Sequence, residues 1–462
     1  IYLAANLDLF GDEAFYRWES QHLAWAYSDL PPMTALAMHL GTSLFGGSDL
    51  ALRSLFLAST LALPAALYYL AWPVVGREKA LVAAGLCVLL PPTAVLGILA
   101  IPDSLLVTVC TLVLAALERA CRLQQLRWWL LAGLLAALGF LIHYRFVFLP
   151  FSVALAFLYF PALRRHLAGP GPWLTAAIAA LGLIPAAIFN LTNDFGALGF
   201  HFSERHPWAF HTEGLLFSLR QAAIVSPLLY GLLLWVLWRT LRGARQGQPA
   251  QALFASVSLF YVLGLILLAP WVDQTSTSEH WALFGYIPLL VFVPDTLLAL
   301  WQRGKAARAL AAATVGLATL FTTVILLVMG APLRYEQLPF AVQDRLSIKM
   351  VGWDEMREAL QAWYRPGETL YATGYYIAAQ LREDPFAASE VRVIDHEKLH
   401  EDGRALQLEL WRVSERYLPA DGSDGLIVVD YRSASRFQIH DQIDVLCRHF
   451  ESVETLDEFT RF

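Results

Sequence analysis

Asp12 and Glu13 stand side by side in a segment, residues 7 to 32, that reads LDLFGDEAFYRWESQHLAWAYSDLPP. Tyr16, Trp18, Trp25 and Tyr27 follow the pair, and Asp29 and Pro31-Pro32 close the stretch. A carboxylate walled by aromatic side chains and withdrawn from bulk water can take a proton from a hydroxyl, so the segment carries a candidate general base. Asp12 is the preferred base and Glu13 its substitute. Plain helix-start chemistry is the competing account, because acids in a first turn are favoured by the helix dipole by about 0.3–1 kcal/mol. Phe15, Trp18 and His22 would then continue as one helical stripe.

A second acid, Asp103, follows Pro102 between two long apolar stretches, which leaves it at a membrane edge. The bland reading makes it the N-cap of a helix from Ser104. The two roles are compatible, since a cap carboxylate can also hold a cation. Arg145, His143, Arg205, His206 and His280 are cations or potential cations in neighbouring connections, and arginine is suited to a phosphate at a membrane boundary. Tyr144 lies between His143 and Arg145. Arg53 and Arg220, near span ends, are equally well read as snorkelling to anionic head groups.

His201, Glu204 and His206 could mimic a metal constellation, but their spacing matches no strong ligand motif. No cofactor is certain, and a divalent metal ion stays open. Asn190-Leu191-Thr192 fits the weak glycosylation pattern, and Asp295 is an acid well inside an apolar stretch, after Pro294. The chain has no Gly-rich phosphate cradle, Cys-x-x-Cys pair or basic nucleic-acid patch. ATP bound by this chain and nucleic-acid partners are therefore not expected.

The elements that must carry these residues are membrane helices. Hydrophobic residues make up 57% of the chain and charged ones only 16%, and mean hydropathy is +0.50, outside the range of soluble domains. Apolar stretches run over 49–72, 79–101, 104–121, 128–142, 146–160, 173–189, 215–238, 250–271, 281–301 and 308–331, most approaching the ~20 residues that cross a bilayer. Ile1 to Ala5 read like the tail of one more, which gives about 11 spans with the first truncated. Arginines and lysines such as Arg77, Arg119, Arg164, Arg242 and Arg303 fall in alternate connections, cytoplasmic by the positive-inside rule. Asp12, Asp29, Asp103, His143 to Arg145, Arg205 and His280 fall in the opposite ones, as one wall and its neighbours of a shared outer cleft.

From residue 332 the composition turns acidic, with 15 basic and 24 acidic residues, a net of −9 (15 minus 24), and no spanning stretch. Apolar runs at 369–373, 391–394 and 426–429 alternate with helical patterns near 354–363, 405–411 and 437–447. The expected fold is an all-α polytopic membrane domain over 1–331 and a small soluble α/β domain over 332–462. The four cysteines, Cys87, Cys110, Cys121 and Cys447, form no disulfide framework.

Taken in order, Gly11-Asp12-Glu13-Ala14 with Tyr16, Tyr27-Ser28-Asp29-Leu30-Pro31-Pro32, Pro102-Asp103-Ser104, Gly139-Phe140-Leu141 before His143-Tyr144, Pro185 with Asn190 and Asn193-Asp194, and His280-Trp281 resemble the family 39 glycosyltransferases. These are membrane enzymes of the GT-C class that include protein O-mannosyltransferases and the bacterial aminoarabinose transferase acting on lipid A. The resemblance implies a helical membrane domain with amphipathic helices after the first span, which suits residues 12–25 and 33–46, and a sugar donor carried on polyprenyl phosphate. It also implies that Asp12 is the essential first-loop aspartate, Asp103 the second-loop acid and Asp29 an acidic position of the Tyr-x-acid/His-x-Pro segment. Leu30 stands where relatives often carry a basic residue, and His143 where they carry lysine, so His143, Arg145 or Arg205 would take over the phosphate.

The function expected is transfer of a sugar from a polyprenyl-phosphate donor to a glycan, lipid or protein acceptor. It would take place at the outer face of a bacterial-type inner or plasma membrane, with Asp12 as base, Asp103 and Glu13 beside it, and Tyr16, Tyr27, Asp29, His143, Tyr144, Arg145, Arg205 and His280 toward the donor. A transporter or flippase of lipid-linked saccharides is the alternative; that class places ionisable residues near the membrane midplane. A scaffold that has lost activity is the third reading, against which intact Asp12 and Asp103 argue.

Overall fold

A computed structural model of the chain describes residues 1–201, 205, 208–272, 279–331, 333–334, 350, 352–394, 399–400, 402–417, 424–429 and 446–457. The chain divides into two compact units. The first gathers Ile1–Arg53, Phe189–Arg205 and Val328–Phe462, and the second comprises Ser54–Ile188 and His206–Leu327.

Helices dominate the second unit, and the first combines helices with a small sheet. Four described helices are long and apolar enough to cross a membrane: Asp49–Val75, Pro102–Leu123, Pro249–Val272 and Lys305–Gly330. Four bent pairs raise that number to as many as eight if each pair is one span. The breaks have chemical causes. Between Thr212–Val225 and Pro227–Arg245 the chain turns by 112° where Ser226, with φ 86°, precedes Pro227, because a residue before proline is kept out of the helical region. The stretch expected as a span over 79–101 is divided into Arg77–Val88 and Pro91–Leu96, the second started by a proline at its first position.

Within the second unit, Leu126–Ile142 packs against both Pro102–Leu123 and Gly171–Leu181. Gly182 is what lets the chain past that helix, since a Cβ there would lie 2.2 Å from the Ala137 carbonyl oxygen. Small residues at such crossings bring helix backbones together where the lipid offers no hydrophobic drive. Asp295 lies in the first turn of the Val293–Gln302 helix and pairs with Lys79. All four cysteines are free thiols.

The first unit contains the two amphipathic helices, Gly11–Gln21 and Met33–Phe45, at the positions expected from the sequence. Its C-terminal part is the small α/β layer. Strands β1 (Thr369–Ala372), β2 (Val391–Val393) and β3 (Gly425–Val428) form a parallel sheet in the order β2-β1-β3. Leu370 stands opposite Val391 on one side and Leu426 on the other. The central strand is buried at every position, as a parallel strand covered on both faces must be. The helices Trp353–Gln361 and Ala405–Leu410 fall where the sequence placed helical patterns; of the third pattern, 437–445 lies outside the described residues.

Candidate active site

The first acid pair splits into two unlike jobs. Both residues sit in the first turn of Gly11–Gln21. Glu13 Oε2 accepts the backbone N–H of Phe10 at 3.0 Å, which caps the helix from inside. Arg53 then closes on the same carboxylate in a fork, Nε to Oε1 at 2.8 Å and Nη2 to Oε2 at 2.8 Å. Its Nη1 donates to the carbonyls of Ala4 and Leu7, and Nη2 to that of Asp8. Neither side chain has any exposure. Arg53 therefore does not snorkel; it is consumed in holding the chain ahead of the helix against Glu13. That leaves Asp12, with 31% of its side chain exposed, as the carboxylate of the pair that solvent or a ligand can reach.

Asp12 is met by groups from the far end of the chain. Tyr375 Oη donates to Asp12 Oδ1 at 2.7 Å, and Arg404 Nη2 lies 3.3 Å from the same oxygen. Burial, followed by the Asp12 carboxylate, pushes the Tyr375 phenol well up, so its proton stays on and it donates. Arg404 also pairs with Asp29 and donates to Tyr16 Oη at 3.4 Å. Its guanidinium lies 4.6 Å from the Phe15 ring, 5.2 Å from Tyr16 and 5.1 Å from Tyr375, an aromatic enclosure that favours a cation. Burial alone would pull this arginine down, but Tyr16, Asp12 and Glu19 hold it up.

The loop bearing Asp29 is tied to the same helix as Arg404. Gln407 Oε1 accepts the Ser28 N–H at 3.0 Å, and Ser28 Oγ donates to the Gly403 carbonyl at 2.9 Å. His201 Nε2 lies 3.0 Å from the Asp29 carbonyl oxygen. Trp411 covers Phe15, Trp18 and His22 with ring centroids 5.5, 4.5 and 5.7 Å away. Tyr27 works on the backbone: its hydroxyl donates to the Glu19 carbonyl at 3.0 Å and accepts from Ala24 N–H, so it shapes the turn and not the ligand space. Glu19 itself is fully buried, with no hydrogen bond to either carboxylate oxygen among the described residues. Burial, relieved only in part by Arg404, pushes its carboxyl up to about 8.

A second acid–arginine cluster lies in the second unit. Pro102, not Ser104, starts the helix, so Asp103 occupies its first turn and makes no side-chain cap; the N-cap reading is thereby corrected. Arg145 Nη2 donates to Asp103 Oδ2 at 2.9 Å, and His280 Nε2 lies 3.6 Å from that oxygen. Arg145 stands 4.6 Å over the Trp281 ring. Its backbone N–H is 3.0 Å from His143 Nδ1 and its Nε is 3.1 Å from His143 Nε2. A neutral imidazole offers one lone pair, so only one of these is a hydrogen bond. Arg145 Nη1 and Asp103 Oδ1 have no protein hydrogen-bond partner among the described residues. Tyr144 opens the short 3-10 turn Tyr144–Val147 that fixes Arg145 beside His143.

Other sequence expectations resolve individually. Arg205 leans on the Phe200 ring at 5.9 Å, in the first unit and so in a different unit from Arg145. Arg220 pairs with Glu279 at 2.6 Å and is no more a snorkel than Arg53. Glu204 and His206 lie outside the described residues, and no group of three or more metal-ligating side chains occurs among the described ones. Asn190 is 2% exposed and its side-chain oxygen accepts the Leu198 N–H, so it is a turn residue and not a glycan acceptor. Arg404 and Gln407 are the site residues that sequence reasoning missed; at 392 residues from Asp12, Arg404 leaves no local signal. Tyr375 stands in an aromatic doublet with Tyr376, just after Gly374.

Residues 29–189 match the family model described as dolichyl-phosphate-mannose-protein mannosyltransferase, a stretch that includes Asp29, Asp103 and His143 to Arg145. The chain is 25% identical over 347 residues to the lipid A galacturonosyltransferase RgtD of Rhizobium johnstonii, covering 73% of this chain and 72% of that protein. Among solved structures it is similar to ArnT from Cupriavidus metallidurans in the apo state, at TM-score 0.58 and 14% identity, over 89% of this chain and 86% of that one. The same protein bound to undecaprenyl phosphate gives a TM-score of 0.60 at 14% identity, over 88% and 86%. The family match and the glycosyltransferase relative support membrane glycosyltransferase activity, and the fold is similar to the GT-C fold of ArnT.

Proposed function

We propose that the protein transfers a sugar from a polyprenyl-phosphate donor to a hydroxyl of a glycan, lipid or protein acceptor at the outer face of a bacterial-type membrane, with residues 332–462 on that same side. Asp12 takes the acceptor's proton as the acceptor oxygen bonds to the anomeric carbon. The bond from that carbon to the phosphate oxygen breaks with its electron pair leaving on the phosphate, and the anomeric centre inverts. Arg145, aided by His143 and His280, carries the role of meeting the departing phosphate charge, since a guanidinium with an uncommitted N–H suits a phosphate oxygen.

The observation that carries this reading is the division of labour at the acid pair. Glu13 is locked by Arg53, whereas Asp12 keeps partial exposure and one oxygen with no donor among the described residues. The relative that acts on lipid A and the neighbour that binds undecaprenyl phosphate point to a lipid-linked donor and a saccharide lipid acceptor. The test is a transfer assay on the purified protein with polyprenyl-phosphate galacturonate, aminoarabinose and mannose, with lipid A as acceptor. Transfer from at least one donor supports the reading, and none from all three overturns it.

A further inference from the structure

We infer that Tyr375 and Arg404, both supplied by the C-terminal region, are positioning residues for Asp12: they hold its Oδ1 so that Oδ2 is the oxygen presented to the acceptor hydroxyl. The inference rests on the reading of Asp12 as the base and says how that base is aimed. Both donors converge on Oδ1, at 2.7 and 3.3 Å, and no described residue donates to Oδ2. A carboxylate held by one oxygen has lost its free rotation, and its other oxygen has a fixed direction. Such orientation matters because proton transfer needs the base within hydrogen-bond reach of the proton it takes.

The holders are themselves held. Arg404 is 5% exposed, ringed by Phe15, Tyr16 and Tyr375 and anchored on its other side by Asp29. Its helix is fastened through Gln407 and Gly403 to Ser28. Tyr375 packs edge-on against Phe15 at 5.4 Å. Next to it, Gly11 allows the close approach of Tyr376, since a Cβ at Gly11 would stand 2.8 Å from the Tyr376 Cβ. A guanidinium buried with two carboxylates and three rings has one geometry open to it, so Asp12 inherits that geometry. The C-terminal region thereby becomes part of the catalytic apparatus.

Transfer kinetics with whichever of the three donors above the wild-type protein uses decide the matter, on Asp12→Asn, Tyr375→Phe, Arg404→Lys and the double variant Asp12→Asn/Tyr375→Phe. Tyr375→Phe keeps the ring packing and removes one oxygen, so it carries the test even if Arg404→Lys fails to fold. The expected result is a kcat about ten-fold lower for Tyr375→Phe, the loss typical of a hydrogen bond to a charged group, with donor KM within about two-fold. In the Asp12→Asn background the same substitution should change the residual rate by less than about two-fold, because two residues acting through one carboxylate are not additive. Wild-type kcat in Tyr375→Phe alongside a disabled Asp12→Asn overturns the positioning role and leaves the base standing. A full ten-fold loss on top of Asp12→Asn also overturns it, by showing that Tyr375 acts elsewhere. Near-normal turnover of Asp12→Asn removes the base, and this inference with it, and so does the absence of transfer from all three donors.

Discussion

Tyr375 and Asp12 lie 363 positions apart in the chain and meet in a 2.7 Å hydrogen bond. The contact joins a helix near the start of the chain to one beyond its last long apolar helix, and Arg404 repeats the connection from a second helix start. Both segments must therefore be in place before the candidate base has its final orientation. Closing so long a stretch of chain costs entropy that local helix contacts do not.

Asp12→Asn should lower transfer by about 10²–10⁴-fold, the usual worth of a general base. The amide keeps the shape, so donor binding should survive, and undecaprenyl phosphate should protect the variant and wild type equally in thermal unfolding. A variant that turns over at the wild-type rate would refute the assignment.

Arg53→Leu is expected to damage folding and not chemistry. It strands the Glu13 carboxylate with no exposure and frees three backbone carbonyls, a loss on the order of 3–5 kcal/mol for a broken buried pair. Removing both charges with Glu13→Leu/Arg53→Leu should recover part of that loss, because no charge is then left buried without its partner. Detergent-solubilised melting temperatures check the order wild type, double variant, single variant.

Arg145→Lys keeps the charge but loses the planar fork that reaches Asp103 while offering a second N–H. Affinity for undecaprenyl phosphate should fall about ten-fold, equivalent to one charge-assisted hydrogen bond. Titration of the purified protein with that lipid measures it, and undiminished affinity would move the phosphate role to another cation.

Glu19 gives a pH signature. Its carboxyl ionises at about 8 in the folded protein against 4.5 for an unperturbed one. Between those values the native state holds a proton that the unfolded chain has released, so stability falls as pH rises through this window and the full cost is present above it. At about 1.4 kcal/mol per pH unit the effect is on the order of a few kcal/mol. Glu19→Gln should melt near the wild type at pH 4.5 and well above it at pH 8.5. Parallel curves for the two proteins across that range would contradict the buried, proton-holding state.

The helical membrane character and the acid-bearing first loop were legible because each is written in neighbouring residues. Long apolar runs with few charges fix the first, and the Gly11-Asp12-Glu13 turn followed by aromatics at helical spacing fixes the second. The α/β layer was legible for the same reason, through the runs at 369–373 and 391–394 flanked by helical patterns. Breaks inside apolar stretches were harder to see. Ser226 and Pro227 bend their helix pair by 112°, yet hydropathy averaged along the chain does not register a single left-handed residue.

Sequence alone determined which residues could do chemistry: Asp12, Asp29, Asp103, Arg145 and His280 are unusual for a chain this apolar. Only the tertiary structure decided what each carboxylate is free to do. Glu13 and Asp12 share one helical turn, so local pattern leaves both as candidates even where it prefers Asp12. They diverge because Arg53 reaches one from 40 residues away, while Tyr375 and Arg404 reach the other from more than 360. A carboxylate's role is set by its solvation and its donors, and those are properties of the packed chain that no local pattern encodes.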